Sequence, residues 1–290
     1  MAHQERKKIM KTWKKIVLGV SLISLFLGGG LVAWGYSQGG LTDLQNKTIS
    51  EQDYVKKEVK DFNKIDIKSS SYNVLIKNGD VDKATLSYYQ KTKNPIDTSV
   101  KDGQLTINDN NSELDSTSNK HINFFGLKDL VRLSTLNKEV RNKTIVITLP
   151  KKQTIDFLKV DLATGNLDLS NSTIKQADIN LNVGDLTFTK MIVSQLKANL
   201  DVGSVDSDNT LFTNSDLSIA MGDYSGDNLI FNGHNKLDVT TGDIEIALKD
   251  YMLNVQADSH SGEVDITNNL KISKDNTLTI TSDLGDITVE

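Results

Sequence analysis

Cysteine is absent from the sequence, and proline occurs only at Pro95 and Pro150. Because there is no thiol, the chain has neither a disulfide framework nor a thiolate metal site. Arginine is absent from residues 144–290, where 10 lysines face 22 acidic residues for a net charge of −12, while residues 1–143 carry +7. Nucleic-acid binding requires basic patches, so this balance argues against nucleic acid as a partner. An acidic surface attracts cationic partners or ions, or serves only to keep the protein soluble.

Histidine is also scarce, and the sequence offers no reactive constellation. The four histidines are His3, His121, His234 and His260. No two of them have the spacing of metal ligands. His260 lies between Ser259 and Ser261 in a segment that reads as a polar loop, but no nucleophile elbow accompanies it. We therefore assign no catalytic, cofactor-binding or metal-binding residues, and we expect neither a cofactor nor enzyme activity.

The most regular feature of the sequence is a glycine that recurs every 19 to 23 residues. These glycines are Gly165, Gly184, Gly203, Gly222, Gly242, Gly262 and Gly285. Self-similarity at a period near 20 is typical of stacked repeats. Apolar residues alternate with polar ones on both sides of each glycine, which predicts two strands with one inward face each. The inward parity changes across the glycine, so we predict a corner there, where glycine tolerates a positive φ.

One repeat is too short to bury a core of its own, but stacked repeats share one continuous apolar column. The sequence therefore predicts an all-β protein, a β-solenoid of coils near 20 residues with two or three short strands each, over residues 61–290. Residues predicted to point into the column include Val160, Ile179, Leu217, Leu237 and Ile280. Tyr72 and Asn73 stand where later repeats place glycine and a polar residue, which indicates a divergent first coil.

The position after each glycine is polar in every repeat. It is occupied by Asn166, Asp185, Ser204, Asp223, Asp243, Glu263 and Asp286. Asn, Asp and Ser side chains bond backbone amides in turns, which gives this column a structural interpretation. The alternative is a column of calcium ligands, but acidic β-rolls of that kind have a period near nine residues with several glycines.

The N-terminal segment is basic and then strongly apolar. Residues 1–15 form a basic tail, and residues 16–36 form an uncharged stretch of 21 residues. About 20 apolar residues span a bilayer as a helix, and the preceding positive charges predict a cytoplasmic N-terminus. We predict an uncleaved transmembrane signal anchor, with a cleaved signal peptide as the alternative. Residues 37–60 then form a polar stalk, and residues 61–290 are extracytoplasmic.

Residues 108–143 interrupt the strand pattern. Within them, residues 121–136 are rich in phenylalanine and leucine. A solenoid leaves open sheet edges that invite unwanted pairing, so this insertion is expected to cover an edge. The alternative is an element that docks on a membrane or a partner, flanked by Lys128 and Arg132.

Three short motifs carry a resemblance to a known family. They are Phe62-x-x-Ile65-x-Ile67, Asn73-Val74-x-Ile76 and Ile145-x-Ile147-x-Leu149-Pro150, followed by the repeated glycine and acidic residue. Over residues 60–290 the chain resembles the bacterial "putative adhesin" β-strand-repeat family, a domain of unknown function. The resemblance implies a β-solenoid at the cell envelope, often beside envelope-stress systems of Gram-positive bacteria, without agreed catalytic residues. Tyr72 and the insertion depart from the family pattern.

These observations favour a membrane-anchored, non-catalytic, adhesin-like or envelope-stress-associated binding module at the cell membrane. Its expected partners are the cytoplasmic membrane and, beyond it, a cell-wall polymer, a cationic peptide or another membrane protein. One alternative is a polysaccharide-active solenoid enzyme, for which paired carboxylates are needed. The available carboxylates on one strand face are Asp161, Asp178, Asp201 and Asp238. A second alternative is a structural spacer.

Overall fold

The structure is a computed structural model that describes residues 52–91, 95–109 and 143–290. These residues belong to one compact unit, residues 51–290, whereas residues 1–50 form a separate unit outside the described part. The predicted anchor at 16–36 and nearly all of the 108–143 insertion also lie outside it. Every element within the described ranges is a β-strand. Those ranges contain no helix of sufficient length and hydrophobicity to cross a bilayer.

The N-terminal part contributes seven strands before the regular repeats begin. They are β1 (Gln52–Glu58), β2 (Lys64–Ser69), β3 (Asn73–Gly79), β4 (Thr85–Lys91), β5 (Asp97–Lys101), β6 (Gln104–Asn108) and β7 (Thr144–Pro150). Residues 52–58, which the sequence placed in the stalk, thus form a strand. β1 pairs with β4 in antiparallel register from Gln52 opposite Lys91 to Glu58 opposite Thr85.

The repeats contribute sixteen further strands. They are β8 (Thr154–Leu162), β9 (Leu167–Ser170), β10 (Thr173–Val183), β11 (Leu186–Thr189), β12 (Ile192–Val193), β13 (Leu196–Val202), β14 (Val205–Asp208), β15 (Leu211–Thr213), β16 (Ser215–Met221), β17 (Tyr224–Asn232), β18 (His234–Thr241), β19 (Ile244–Leu248), β20 (Asn254–Ser261), β21 (Val264–Ile266), β22 (Thr277–Leu284) and β23 (Ile287–Val289). They form a β-solenoid, as the sequence predicted.

Two faces, here called sheet A and sheet B, make up the solenoid. Strands that precede a glycine lie in sheet B, and strands that follow it lie in sheet A; both pair in parallel with the equivalent strands of neighbouring coils. The residues predicted to point inward are confirmed: Val160, Ile179, Leu217, Leu237 and Ile280 are all at most 4% exposed. They belong to one apolar cluster that runs through the stack.

The recurring glycine forms a corner, as predicted, and at the glycine positions the corner is too tight for a side chain. Gly203 has a φ of 147°, and a Cβ on it would lie 2.0 Å from the carbonyl oxygen of Gly184. Tyr72 takes the same place in the first coil, because a Cβ on Gly165 would lie 2.4 Å from the Tyr72 carbonyl oxygen. The divergent first coil is thereby confirmed.

A second corner, six residues after the glycine, was not expected. The residues at this corner are Asn171, Lys190, Asn209 and Asn228, and their φ values are 51°, 54°, 48° and 54°. Asn is among the few residues that enter this left-handed region readily. The three asparagines at one position of the repeat are therefore the sequence feature that indicates this second corner.

The coils do not follow one another in chain order at the C-terminal end, although the sequence predicted simple stacking. β18 pairs with β22, and β22 pairs on its other side with β20. β19, β23 and β21 follow the same order in sheet A. After β19 the chain therefore forms the outermost coil with β20 and β21. It then returns, and β22 and β23 form the coil that lies between this one and the coil of β18 and β19. Residues 258–261, predicted as a loop, are the end of the outermost strand β20.

The N-terminal end shows a related inversion. β6 and β7 pair with β2 and β3 on the side opposite β8 and β9, so they form an outer coil. The insertion leaves after β6 and returns before β7, at the corner where later coils carry glycine. Antiparallel strands then close this end: β5 pairs with β6 in sheet B, and β4 followed by β1 continues sheet A from β7. The described residues contain nine stacked coils.

Candidate functional site

The outer surface of sheet A is acidic over the coils from Gly184 to the C-terminal end of the solenoid. In the six coils from Gly184 onward, outward positions lie one, three and five residues after the glycine. A carboxylate stands one residue after the glycine in five of the six coils. At three residues after the glycine, and again at five, a carboxylate stands in three of the six coils. The acidic face comprises Asp185, Asp206, Asp208, Asp223, Asp227, Asp243, Glu245, Glu263, Asp265, Asp286 and Glu290. None of the eighteen positions holds a lysine.

The geometry of the solenoid sets the spacing of these charges. Equivalent residues of neighbouring parallel strands lie about 4.8 Å apart, and residues two apart along a strand lie about 6.6 Å apart. Thus Asp206 lies two coils from Glu245, with Ser225 between them in register. Eleven carboxylates are held on a rigid lattice about 25 Å long. Such a surface concentrates cations near it.

The carboxylates directly after the glycines form a hydrogen-bonded ladder along the corner. Asp185 Oδ1 accepts a hydrogen bond from the backbone N–H of Ser204 at 3.0 Å. Asp243 Oδ1 accepts one from the N–H of Asp286 at 2.8 Å, and Asp286 Oδ1 accepts one from Glu263 at 2.7 Å. The structural interpretation of this column is confirmed in a modified form, because each side chain bonds the next coil rather than its own turn.

The outer face of sheet B is built differently. Its central row alternates in charge from coil to coil, with Asp66, Lys159, Asp178, Lys197, Asp216 and Lys236 in register. The next row carries an amide ladder, in which Asn199 Nδ2 donates to Asn180 Oδ1 and Asn180 Nδ2 donates to Asp161 Oδ1, both at 3.0 Å. Opposite charges in register stabilise a sheet and satisfy one another. Sheet B therefore carries much less uncompensated charge than sheet A.

Among the carboxyls of sheet A whose burial the structure describes, Asp168 is the buried one. It lies in β9 between Leu75 and Thr187 in register and is 2% exposed. Its Oδ1 has no hydrogen-bond partner among the described residues. Burial raises the pKa of Asp168 to about 7, and the nearby Lys77 ammonium partly opposes this shift. The carboxyl is therefore poised to change its charge near neutral pH.

Of the four carboxylates considered for a polysaccharide-active enzyme, Asp161 and Asp178 are diagonal neighbours about 8 Å apart in adjacent coils, because Asp161 is in register with Asn180. Asp161 and Asp238 share one row of sheet B but belong to coils four steps apart, which is about 19 Å. Asp178 lies in register with Lys159 and Lys197. Glycosidases place their two carboxyls between about 5 and 9.5 Å apart. Asp161 and Asp178 fall within this range, but the Lys159 ammonium lies 3.7 Å from Asp161 Oδ2 and Lys159 is in register with Asp178. Asp161 also accepts the hydrogen bond from Asn180. Both carboxylates therefore belong to the charge and amide rows of sheet B, an arrangement that does not favour the acid–base pair this alternative requires.

The histidines and the metal-ligating residues are similarly dispersed. His234 begins β18, and its Nδ1 lies 3.0 Å from Thr277 Oγ1. His260 lies exposed in β20, whereas Ser259 Oγ donates to the Gly285 carbonyl oxygen at 2.8 Å. Over residues 52–91, 95–109 and 143–290 there is no group of three His, Cys, Asp or Glu residues arranged to hold a metal ion.

Comparison with known proteins bears on the family. No curated protein matches the chain. A "putative cell adhesion protein" from Clostridium sporogenes is 14% identical with a TM-score of 0.34, covering 82% of this chain and 99% of its own. A "putative adhesin" from Bacteroides fragilis is 14% identical with a TM-score of 0.39, covering 83% and 97%. A "putative lipid binding protein" from Parabacteroides distasonis is 11% identical with a TM-score of 0.40, covering 83% and 98%.

The family model described as Toastrack DUF4097 matches residues 62–290, which is most of the chain. The resemblance predicted from the motifs at Phe62, Asn73 and Ile145 is thereby confirmed. The chain belongs to the Toastrack DUF4097 family, a domain of unknown function.

Proposed function

We propose that the chain is a non-catalytic binding module of the cell envelope that holds a cationic partner on the acidic face. The observation that carries this proposal is the asymmetry between the two faces of one solenoid. From Gly184 onward the outward positions of sheet A carry eleven carboxylates and no lysine, while sheet B sets lysines beside its acidic residues. Solubility alone does not require that the charge be confined to one face.

The partner that fits this lattice best is a cationic peptide. Lysine and arginine side chains of an extended peptide project to one side at intervals near 6.6 Å, which matches the spacing between the carboxylate rows. Each corner aspartate uses only Oδ1 in the ladder, so its Oδ2 is left for an incoming ammonium group. A cell-wall polymer that carries cationic groups, or a membrane protein with a basic segment, would be held by the same charges.

We further propose that the solenoid lies outside the cell membrane and is anchored to it. A single-pass anchor at residues 16–36, with residues 1–15 in the cytoplasm, would display the solenoid outside the cell membrane. There the acidic face would be exposed to wall polymers and to cationic peptides that approach the bilayer. Attachment of a membrane-impermeant biotin reagent to lysines of residues 61–290 in intact cells tests this orientation.

Binding is tested with the full-length chain in nanodiscs of zwitterionic lipid and a fluorescent peptide of twenty lysines. Replacing Asp206 and Asp265 by Asn and Glu245 by Gln removes three charges from the middle row of the acidic face. No hydrogen bond of the corner ladder is lost. At about 0.4–0.5 kcal/mol per exposed charge pair, the dissociation constant should rise about tenfold at low salt. The effect should disappear near 1 M salt because of screening.

The matched control removes three charges from sheet B instead, by replacing Asp178, Asp201 and Asp216 with Asn. Net charge is then the same in both variants, so general attraction cannot distinguish them. We expect the control to bind the peptide nearly as the wild type does. Equal weakening by both variants would contradict the acidic face as the site. If the acidic-face variant binds the peptide as the wild type does, and the wild type binds purified wall polymer, then the polymer rather than a peptide is the partner.

A further inference from the structure

Within residues 52–91, 95–109 and 143–290, the C-terminal end of the solenoid has no strand beyond its last coil, unlike the N-terminal end. β20 pairs only with β22, and β21 pairs only with β23, within the part of the chain that the structure describes. At the other end, β5, β4 and β1 add antiparallel strands to the last coil. The open end therefore presents the full length of two parallel edge strands.

The backbone hydrogen-bond pattern shows which groups point outward at this edge. In a parallel pair, alternate residues direct both N–H and C=O to the same neighbour. The N–H of Asn254 donates to the carbonyl of Asn276 at 3.0 Å, so the even-numbered residues of β20 face inward. Val255, Ala257 and Ser259 consequently direct their N–H and C=O groups away from the stack. Such a row is a template for another strand.

The apolar column is also left incomplete at this end. Ile280 and Ile287 in the adjacent coil are fully buried. The residues in register with them, Ala257 and Val264, are only half-buried and 38% exposed respectively. One more strand on β20 would restore to Ala257 the neighbour that its equivalents in the inner coils possess, and Val264 would need a further strand on β21.

We propose that β20 is a docking edge that binds an extended, basic peptide segment by adding it as a further strand of sheet B. Charge decides the nature of the occupant. Asp258 projects from β20 on the outer face of sheet B, in register with Thr281, and the exposed Asp283 lies two residues further along the neighbouring strand β22. The β20 strand of a second copy would bring another Asp258 and no lysine or arginine to this edge, and like charges placed opposite each other destabilise strand pairing.

The occupant is therefore a segment in which lysine or arginine alternates with small apolar residues. Its apolar side chains would extend the column over Val255 and Ala257, and its basic side chains would lie beside Asp258. This mode of recognition supplies main-chain hydrogen bonds for affinity and side-chain alternation for selectivity. It is distinct from the acidic face, because it requires a strand-forming peptide and the backbone of β20.

The test uses the full-length chain and the labelled octapeptide Lys-Val-Lys-Val-Lys-Val-Lys-Val, with the corresponding Glu-Val octapeptide as the ligand control. Ala257→Pro removes an outward N–H and blocks the edge with a ring, yet it removes no hydrogen bond to β22. Proline is tolerated on edge strands in this orientation. Ala257→Pro and, separately, Asp258→Lys should each weaken Lys-Val binding at least tenfold. The Glu-Val peptide should not bind.

The variant of Asp206, Glu245 and Asp265 separates this proposal from the proposed function. It should weaken binding of the twenty-lysine peptide while it changes Lys-Val binding less than threefold, and Ala257→Pro should do the reverse. Wild-type Lys-Val binding by a folded Ala257→Pro protein overturns the docking edge. If Ala257→Pro fails to fold, wild-type binding by Asp258→Lys overturns it instead. A concentration-dependent dimer that Ala257→Pro abolishes would also overturn it, in favour of a second copy.

Discussion

The close approach of neighbouring coils at the glycine corner can be tested by the substitution Gly203→Ala. A Cβ there would lie 2.0 Å from the Gly184 carbonyl oxygen, whereas a relaxed carbon–oxygen contact is above 3 Å. The neighbouring coils must therefore separate locally by about 1 Å. The φ of 147° adds strain for any residue with a side chain.

The magnitude follows from these two effects. Backbone strain of this kind costs about 1–3 kcal/mol. Separation of the coils weakens the hydrogen bonds that flank the corner, such as that from the Gly203 N–H to the Met221 carbonyl at 3.0 Å, at about 1 kcal/mol each. We expect a loss of about 2–5 kcal/mol in the free energy of unfolding. For a domain of this size, the urea midpoint should fall by roughly 1 M or more.

The assay is urea unfolding followed by far-ultraviolet circular dichroism, with Ser225→Ala as the matched control. Ser225 is an exposed residue of β17 on the outer face of sheet A, so its loss should change stability by less than about 0.5 kcal/mol. If Gly203→Ala unfolds at the wild-type urea concentration, the coils are not packed through this corner. The register of sheets A and B would then be refuted with it.

Three further perturbations probe the core, the buried carboxyl and the first coil. Ile219→Ala, at a fully buried position, should cost about 2–5 kcal/mol in urea unfolding, whereas Ile272→Ala, at a position 84% exposed, should cost almost nothing. Burial raises the pKa of Asp168 to about 7 in the folded chain, above its unfolded value, so wild-type stability should fall as pH rises from about 4 to 7 and then level off. Asp168→Asn should lack this decline and be the more stable protein at pH 8 in thermal unfolding; an identical pH profile would contradict the assignment. Tyr72→Phe removes the hydrogen bond that the phenol donates to the Tyr89 carbonyl at 3.0 Å and should lower stability by about 1 kcal/mol in urea unfolding, a loss that an equal midpoint would rule out.

The stacked coils were predictable because their signal is local and repeated. Glycine at a corner and alternation on both sides recur within about 20 residues, so each repeat confirms the next. The order of the last coils was not predictable in the same way. The interval of 23 residues between Gly262 and Gly285 indicates a longer loop, but it does not state which neighbour each strand joins. That choice depends on contacts between segments far apart in sequence.

β1 was missed for the same reason. Its sequence, Gln-Asp-Tyr-Val-Lys-Lys-Glu, is mostly polar, and its pairing with β4 is separated by some thirty residues. The acidic face, by contrast, was present in the sequence. Carboxylates recur three and five residues after the glycine, as at Asp206, Asp208 and Glu245, but only the position directly after the glycine was recognised as a column.

The inverted order of the last two coils has a consequence for the docking edge. Because the chain returns to fill the inner place, its C-terminal strands are buried, and Ile287 and Val289 are at most 1% exposed. The open edge is instead an internal segment that is tethered at both ends. Leu253 is buried just before β20, and the Lys271 N–H donates to the Tyr251 carbonyl at 2.8 Å just beyond β21. An edge held extended in this way has less ordering entropy to lose when a further strand binds, which favours its use in recognition.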